Sequence, residues 1–252
     1  MTTKKYFSLL AIIIMQSVLT SSSHALNHAS PSSNLDNEKN IPSQAVKMQT
    51  VLLGSSANYA LLSALYIKNN GATSILGDMG ISPGSTIEGF PPATFSGNMQ
   101  KKTVLSSQAQ KDLEVVYNDV IARRSTDAVE LSGNIGGLTL TPGLYYSKSS
   151  LEMSSGDLTF DAQGNPDAIF IIQIASSLSV INDRKMVLKG NASAANIFWQ
   201  VGGSAAFGTA STIRGTFIVM ESITFYNGAT LIGKALARKG GIVLAANTIV
   251  RE

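Results

Sequence analysis

Residues 215–232, GTFIVMESITFYNGATLI, and residues 233–250, GKALARKGGIVLAANTIV, are two copies of one pattern set 18 positions apart. Gly215 meets Gly233, Thr230 meets Thr248 and Leu231 meets Ile249. One copy earlier, the same spacing takes Ser211-Thr212-Ile213 to Ala229-Thr230-Leu231. The central run needs 19 (Ile223 to Ile242, Phe225 to Leu244), as expected if one corner carries an extra residue. From about residue 131 to 250 the chain keeps this form: a short β-branched or aromatic run, a small-residue corner, another run, and a Gly/Asn/Ser corner. A short fixed period of strand-like pieces predicts a β-solenoid, in which coils stack at the inter-strand spacing of about 4.8 Å. A β-sandwich would instead call for longer alternating strands and turn signals every ~8–12 residues.

One segment departs from the pattern. In VLSSQAQKDLEVVYNDVIARR (104–124), Ala109, Leu113, Val116, Val120 and the neighbours Tyr117 and Ile121 recur at helical spacing. Ser106 or Ser107 can cap its start, and Arg123 and Arg124 suit the negative end of the helix dipole. Its single apolar stripe needs a large surface to cover it. A face of the solenoid is the nearest one.

Upstream, Lys4 and Lys5 precede an apolar run from Tyr6 to Leu19 and a polar stretch ending Ser23-His24-Ala25. This is the pattern of a secretory signal (1–25) with cleavage after Ala25. The run is shorter than the ~20 residues that cross a bilayer as a helix. Residues 26–48 are rich in Ser, Asn and Pro and read as a flexible leader. One folded domain, 49–252, remains. The expected destination is extracellular or periplasmic, with no membrane attachment after cleavage.

The signal carries two lysines and no acid, so the remainder holds 17 basic and 16 acidic residues, a formal charge of +1. No dense Lys/Arg stripe appears, and nucleic-acid binding has little support. Charged residues are 14% of the chain, against about 25% in typical soluble domains. Much of the surface must therefore be small and neutral. The chain has no cysteine, which excludes disulfides and thiolate metal sites. Both histidines, His24 and His28, precede the folded domain. Imidazole-based catalytic triads, most catalytic zinc sites and pH switches near neutrality are thereby excluded from it.

Other candidate motifs have plainer readings. Asp161 and Asp167 flank the Gly164-Asn165-Pro166 turn, where Asp serves local backbone bonding, and neither they nor Asp183 requires a carboxylate site. GDMGISPG (77–84) lacks the Lys-Ser/Thr of a phosphate loop. Asn191-Ala192-Ser193 fits a glycosylation acceptor in a eukaryotic secretory route.

Several stretches in order resemble one family: LLGSSANYALL (52–62), GDMGISPG (77–84), LTLTPGLYY (138–146), FDAQGNPDAIFIIQIASSL (160–178), NIFWQVGGSA (196–205), GTFIVMESITFYNGATLIGKALAR (215–238) and LAANTI (244–249). They are similar to the microbial ice-binding proteins of the large discontinuous β-solenoid type. That resemblance implies an all-β fold with one long helix: a right-handed, three-sided β-helix with the helix along one side. It also implies that residues of about 51–95 fold back and stack on coils from the C-terminal end. The implied activity is adsorption to ice through a flat face, which depresses freezing below melting and inhibits recrystallisation. The implied partner is the surface of an ice crystal, met by a monomer without cofactor, metal or catalytic residues.

Strand alternation then assigns the face. With Leu151, Leu178, Ala205, Ile223 and Ile242 as one inward column, the outward neighbours are Ser150 and Glu152, Ser177 and Ser179, Ser204 and Ala206, Ser222 and Thr224, and Gly241 and Val243. The corner positions before them are Ser149, Ser176, Gly203, Glu221 and Gly240. All the face neighbours except Glu152 are uncharged. The family's face often carries Thr-Ala/Gly-x-Thr/Asn in each coil, and only Glu221-Ser222-Ile223-Thr224 comes near it. Alignment to the family adds Leu65, with Tyr66, Ile67 and Lys68, from the folded-back segment. Methyl and hydroxyl groups on such a face can support an ordered water layer, whereas charged side chains hold shells of their own. The alternative is a carbohydrate-binding or adhesin-type solenoid, which would show exposed aromatics in a groove. A polysaccharide lyase or hydrolase would need converging carboxylates or an Arg/Lys pair.

Overall fold

Each coil of the chain makes three short strands separated by corners, and every pairing between coils is parallel. The computed structural model describes residues 48–252. The proposed signal and almost all of the proposed leader lie outside those residues. Stacked in register, as the repeat predicts, the strands form three faces around one apolar interior, as the resemblance implies.

The first face carries the helix. Its coils run from Val129–Glu130 through Gly143–Ser147, Phe170–Ile174 and Ile197–Val201 to the later halves of Thr212–Val219 and Thr230–Ala237. It continues through Tyr59–Ser63, Asp78–Ile81 and Met99–Lys101. The second face stacks Gly133–Asn134, Leu151–Met153, Leu178–Val180, Ala205–Phe207, Ile223–Phe225, Ile242–Leu244, Tyr66–Asn69 and Thr86–Glu88. The third runs from Thr139–Leu140, Leu158–Asp161 and Met186–Lys189 across the bridge Lys185↔Thr212. It ends on the early halves of Thr212–Val219 and Thr230–Ala237, then Thr248–Val250, Ser74–Leu76 and Thr94–Phe95.

Sequence order and coil order therefore differ. The first strands of the folded chain pair with its last ones: Ile67 lies beside Ile242, Leu61 beside Ala235 and Ile75 beside Ile249. The solenoid is discontinuous, right-handed and three-sided.

The interior is filled by inward columns. Leu151, Leu178, Ala205, Ile223, Ile242 and Ile67 form one, all 1% exposed or less. Larger rings occupy the middle, where Trp199 stacks on Phe217 at 5.5 Å and meets Phe160 edge-on at 5.8 Å. The indole Nε1 donates to Arg214 O at 3.2 Å, so burial of this residue leaves no polar group unpaired.

The helix spans Val104–Ala122 and starts one turn before the serines suggested by the sequence. Thr103 is its cap: the Thr103 side chain accepts from Ser106 N at 3.1 Å, and Thr103 N donates to Ser106 Oγ at 3.0 Å. Ser106 is thus the third residue of a capping box. The helix also stops before Arg123. The expected complement to its final carbonyls survives in part, because Arg124 Nη1 donates to Ile121 O at 2.7 Å. Ala109, Leu113, Val116, Tyr117 and Val120 are buried against Leu62, Leu144, Ile171, Phe198, Ile218 and Leu236. Ile121, expected in that stripe, is exposed, since it follows Val120 round the helix and borders an open cleft.

Polar anchors fix the helix along its length. Gln173 and Gln200 occupy adjacent coils in one register. Gln173 Nε2 donates to Val120 O at 2.6 Å, and Gln200 Nε2 donates to the Tyr117 hydroxyl at 2.9 Å. Arg238 adds a 2.8 Å ion pair with Glu114.

Candidate functional site: the second face

With one face under the helix, the other two meet solvent. On the second face the in-register pairs Leu151–Leu178–Ala205–Ile223–Ile242–Ile67–Ile87 point inward, so the residues on either side of them point out. Two outward columns result, and they differ chemically.

The column after the inward residue reads Glu152, Ser179, Ala206, Thr224, Val243, Lys68, Glu88. Its uncharged part covers four coils, about 14 Å at ~4.8 Å per coil. Glu152 bounds one end, its carboxylate accepting from Ser154 Oγ at 2.9 Å. At the other end Lys68 faces Glu88 at 3.5 Å, an exposed pair that keeps its own hydration.

The column before the inward residue reads Ser150, Ser177, Ser204, Ser222, Gly241, Tyr66, Thr86. Several of its hydroxyls are already engaged. Ser150 Oγ accepts from Ser177 N at 3.3 Å, Ser177 Oγ from Ser204 N at 3.4 Å, and Ser222 Oγ from Gly241 N at 3.2 Å. These serines staple each coil to the next, so structure alone accounts for part of their presence.

Two candidate residues need correction. Gly241 is in the expected column but is buried. A Cβ built on it would lie 2.2–2.5 Å from three adjacent carbons of the Tyr66 ring, which places that ring face-down on the glycine. The surface offered there is phenol. Leu65 is 52% exposed, but its N donates to Gly240 O at 3.2 Å, in the corner that precedes the face strand. It borders the face rather than lying on it. Ile67 is core, and Tyr66 and Lys68 are the true outward extension. No spacing signal could have separated these, because the segment reaches the face only by folding back.

Sequence spacing also matched Thr212, Thr230 and Thr248 without assigning them to a surface. They are outward residues of the third face, in register with Ser74 and Thr94.

The other candidate chemistries do not assemble. Asp161 Oδ1 accepts from Gln163 N at 2.8 Å, as a turn residue should. Among the described residues no group of three His, Cys, Asp or Glu side chains is placed to hold a metal ion. A cleft of about 480 Å³ lies by the end of the helix, lined in part by Arg123, Tyr146, Lys148 and Gln173. Its polar groups are committed: the Tyr146 hydroxyl and Lys148 both bond Glu130, and Gln173 holds the helix. The most exposed ring on the solenoid, Tyr226 at 53%, stands at the corner between second and third faces, away from that cleft.

A discontinuous three-sided solenoid with a helix on one face and an uncharged array on another defines the class, a β-helix that offers flat outward surfaces. The chain belongs to the Ice-binding-like family, whose model matches residues 61–250. It is similar to the crystal structure of an ice-binding protein from an Antarctic biological consortium, with 52% identity, a TM-score of 0.81 and coverage of 83% of this chain and 95% of that one. The structure of an ice-binding protein from the ascomycete Antarctomyces psychrotrophicus gives 32% identity and 0.76, covering 81% and 99%. An ice-binding protein of a Nostoc species is 35% identical over 200 residues, 79% of this chain and 73% of that one.

Proposed function

We propose that this protein adsorbs to ice, lowers the freezing point below the melting point and inhibits recrystallisation, acting as an exported monomer with no chemical step. The observation that carries this reading is the four-coil uncharged field Ser179–Ala206–Thr224–Val243, in a chain of a family whose relatives are named for binding ice. Coil stacking sets one axis of that field, and the flanking serine column sets the other. The methyl groups of Ala206, Thr224 and Val243 cannot hold water by hydrogen bonding, while the hydroxyls of Ser179 and Thr224 can anchor it. An ordered layer of water on such a surface needs little rearrangement to join a lattice. Export is supported by the pattern of residues 1–25, which lie outside the described residues.

The test is a freezing-point measurement on the chain lacking residues 1–25. A melting–freezing gap with faceted crystals is expected, and a gap no larger than that of albumin with unshaped crystals would end the proposal. Location is tested by Thr224→Tyr, which puts a bulky side chain at the centre of the field. Hysteresis should fall, while circular dichroism and melting temperature stay near those of the parent. Unchanged hysteresis would move the site off this field.

A further inference from the structure

The strand Tyr66–Asn69 joins the stack without the constraint that places the strands of the consecutive coils. Each of those coils hangs from the one before it by a short corner, so the length of the repeat fixes its register. Between Ile242–Leu244 and Tyr66–Asn69 there is no such link, and the two strands meet only by lateral pairing. A slip of one residue there would turn Ile67 outward and Tyr66 and Lys68 inward. Val243, the last residue of the uncharged field, lies on the coil that this seam covers.

Buried side chains fasten the seam at both corners flanking the strand. Before it, the Ser63 hydroxyl shares its proton between Tyr66 O at 2.8 Å and Gly240 O at 3.1 Å, the second of these 177 positions away. Leu65 N donates to the same Gly240 O at 3.2 Å. Ser63 is fully buried and pairs with Ile81 of the next coil, in an otherwise apolar setting. After the strand, Asn247 N donates to Thr73 Oγ1 at 3.0 Å, across 174 positions, and Thr73 Oγ1 donates in turn to Asn69 Oδ1. Both amides extend this chain of bonds. Asn247 Nδ2 donates to Tyr226 O at 2.8 Å and Ala229 O at 3.1 Å, and Asn69 Nδ2 donates to Gly89 O at 3.0 Å. Side chains thereby join successive coils on both sides of the seam. Thr73 and Asn247 are buried throughout.

The fastening is local to the seam. At the equivalent corner of the two preceding coils stand Ser211, whose hydroxyl bonds Gly208 O of its own coil at 2.7 Å, and Ala229, which has no polar side chain. Among the described residues no buried side-chain nitrogen or oxygen lacks a partner, so the cluster is complete and its members depend on one another. We propose that Ser63, Thr73 and Asn247 are positioning residues for the ice-contacting face. They set the register and height of Tyr66–Asn69 against Ile242–Leu244, hold the Tyr66 ring down on Gly241, and keep Val243 off a frayed edge. Each acts through the strand beside it rather than by touching ice. The inference rests on the ice-binding reading above.

The experiment compares the chain lacking residues 1–25 with its Thr73→Val and Thr73→Ser variants near the freezing point, once circular dichroism has shown each to be folded. Amide hydrogen exchange is followed in peptides covering Tyr66–Asn69 and Ile242–Leu244, with Leu151–Met153 as the control coil, and hysteresis is measured on the same samples. Valine keeps the shape of threonine and removes the acceptor of Asn247 N. In Thr73→Val, exchange should become about tenfold faster at the seam and stay parental in the control coil, because the lost bond opens a local unit. Hysteresis should fall with it, and Thr73→Ser, which keeps the hydroxyl, should restore both. Ser63→Ala, at the other corner, repeats the comparison if Thr73→Val does not fold. Faster exchange at the seam with parental hysteresis would overturn the positioning role alone. Parental exchange at the seam, or an equal rise in the control coil, would overturn it too. A parent without hysteresis would overturn the ice-binding reading and this inference with it.

Discussion

The contact between Tyr66 and Gly241 shows how much a single residue can decide on a flat surface. The glycine has no side chain, so the ring can lie on the sheet and keep the face low where the folded-back coil joins. Gly241→Ala would put a methyl group into the space of the ring. The obstacle is the end of a flexible side chain rather than backbone, so the ring swings outward and the fold survives. Hysteresis should fall in Gly241→Ala with stability changed by less than about 1 kcal/mol. Tyr66→Ala in the same chain should restore most of it, since the projecting ring is then gone. Equal hysteresis in Gly241→Ala and the parent would show that this part of the face does not touch ice. At this scale the sequence was legible only where the coils are consecutive. Leu151, Leu178, Ala205, Ile223 and Ile242 fall inward as alternation requires. The roles of Gly241 and Leu65 depended on a neighbour some 175 positions away, and no local pattern encodes that.

Among the elements, the helix was the easiest to read and its ends the hardest. A stripe such as Ala109-Leu113-Val116-Val120 repeats four times, whereas a cap is one residue among several able to serve. Thr103 and Ser106 cap together, and either sequence-based choice of serine would leave Thr103 unexplained. The middle of the helix is also tied to the short 3-10 turn Gly54–Asn58. The Asp112 carboxylate accepts from Ser55 Oγ at 2.6 Å, Ser55 N at 2.7 Å and Gln108 Nε2 at 2.7 Å. These bonds favour the charged form and hold Asp112 below the usual carboxylate range, the Ser55 hydroxyl contributing most. Because the folded value is the depressed one, the stabilisation is present above the ordinary Asp range and is lost as pH falls through the lowered folded value. Asp112→Asn should therefore cost about 1 kcal/mol at neutral pH, after allowing for its exposure to solvent. The gap between the two urea-unfolding curves should close as the pH is taken below about 4. A gap of constant size across that range would show that the charge is not what matters.

For the whole molecule, the dominant fact is that the chain closes on itself. The 18-residue spacing reveals consecutive coils, but it is silent about coils contributed from the other end of the chain. That part of the architecture was legible only through resemblance to a family. Its physical cost is that Tyr66–Asn69 and Ser74–Leu76, near the start of the folded chain, find nearby in sequence only Thr86–Glu88 and Thr94–Phe95, and join the main stack only once Ile242–Leu244 and Thr248–Val250 exist. Contacts of such sequence separation form late and slowly. A chain ending at Ala237 should consequently lose more than one coil's worth of stability. Its thermal melt, followed by circular dichroism, should be broad and non-cooperative. A sharp transition only slightly below that of the full chain would mean that the folded-back coils stack without their partners.

The helix also sets a length scale for everything beside it. Its 19 residues make a rod of about 28 Å, about six inter-strand steps, on a face of nine successive strands. Duplicating a unit such as residues 215–232 would lengthen both bare faces by one step, yet the rod would not grow with them. The added coil would leave a strip of the apolar underside uncovered, next to Leu144 at one end or Leu62 at the other. The helix thus works as a gauge of how many coils can have their apolar outer side covered, and so bears on how much flat surface a single molecule can present.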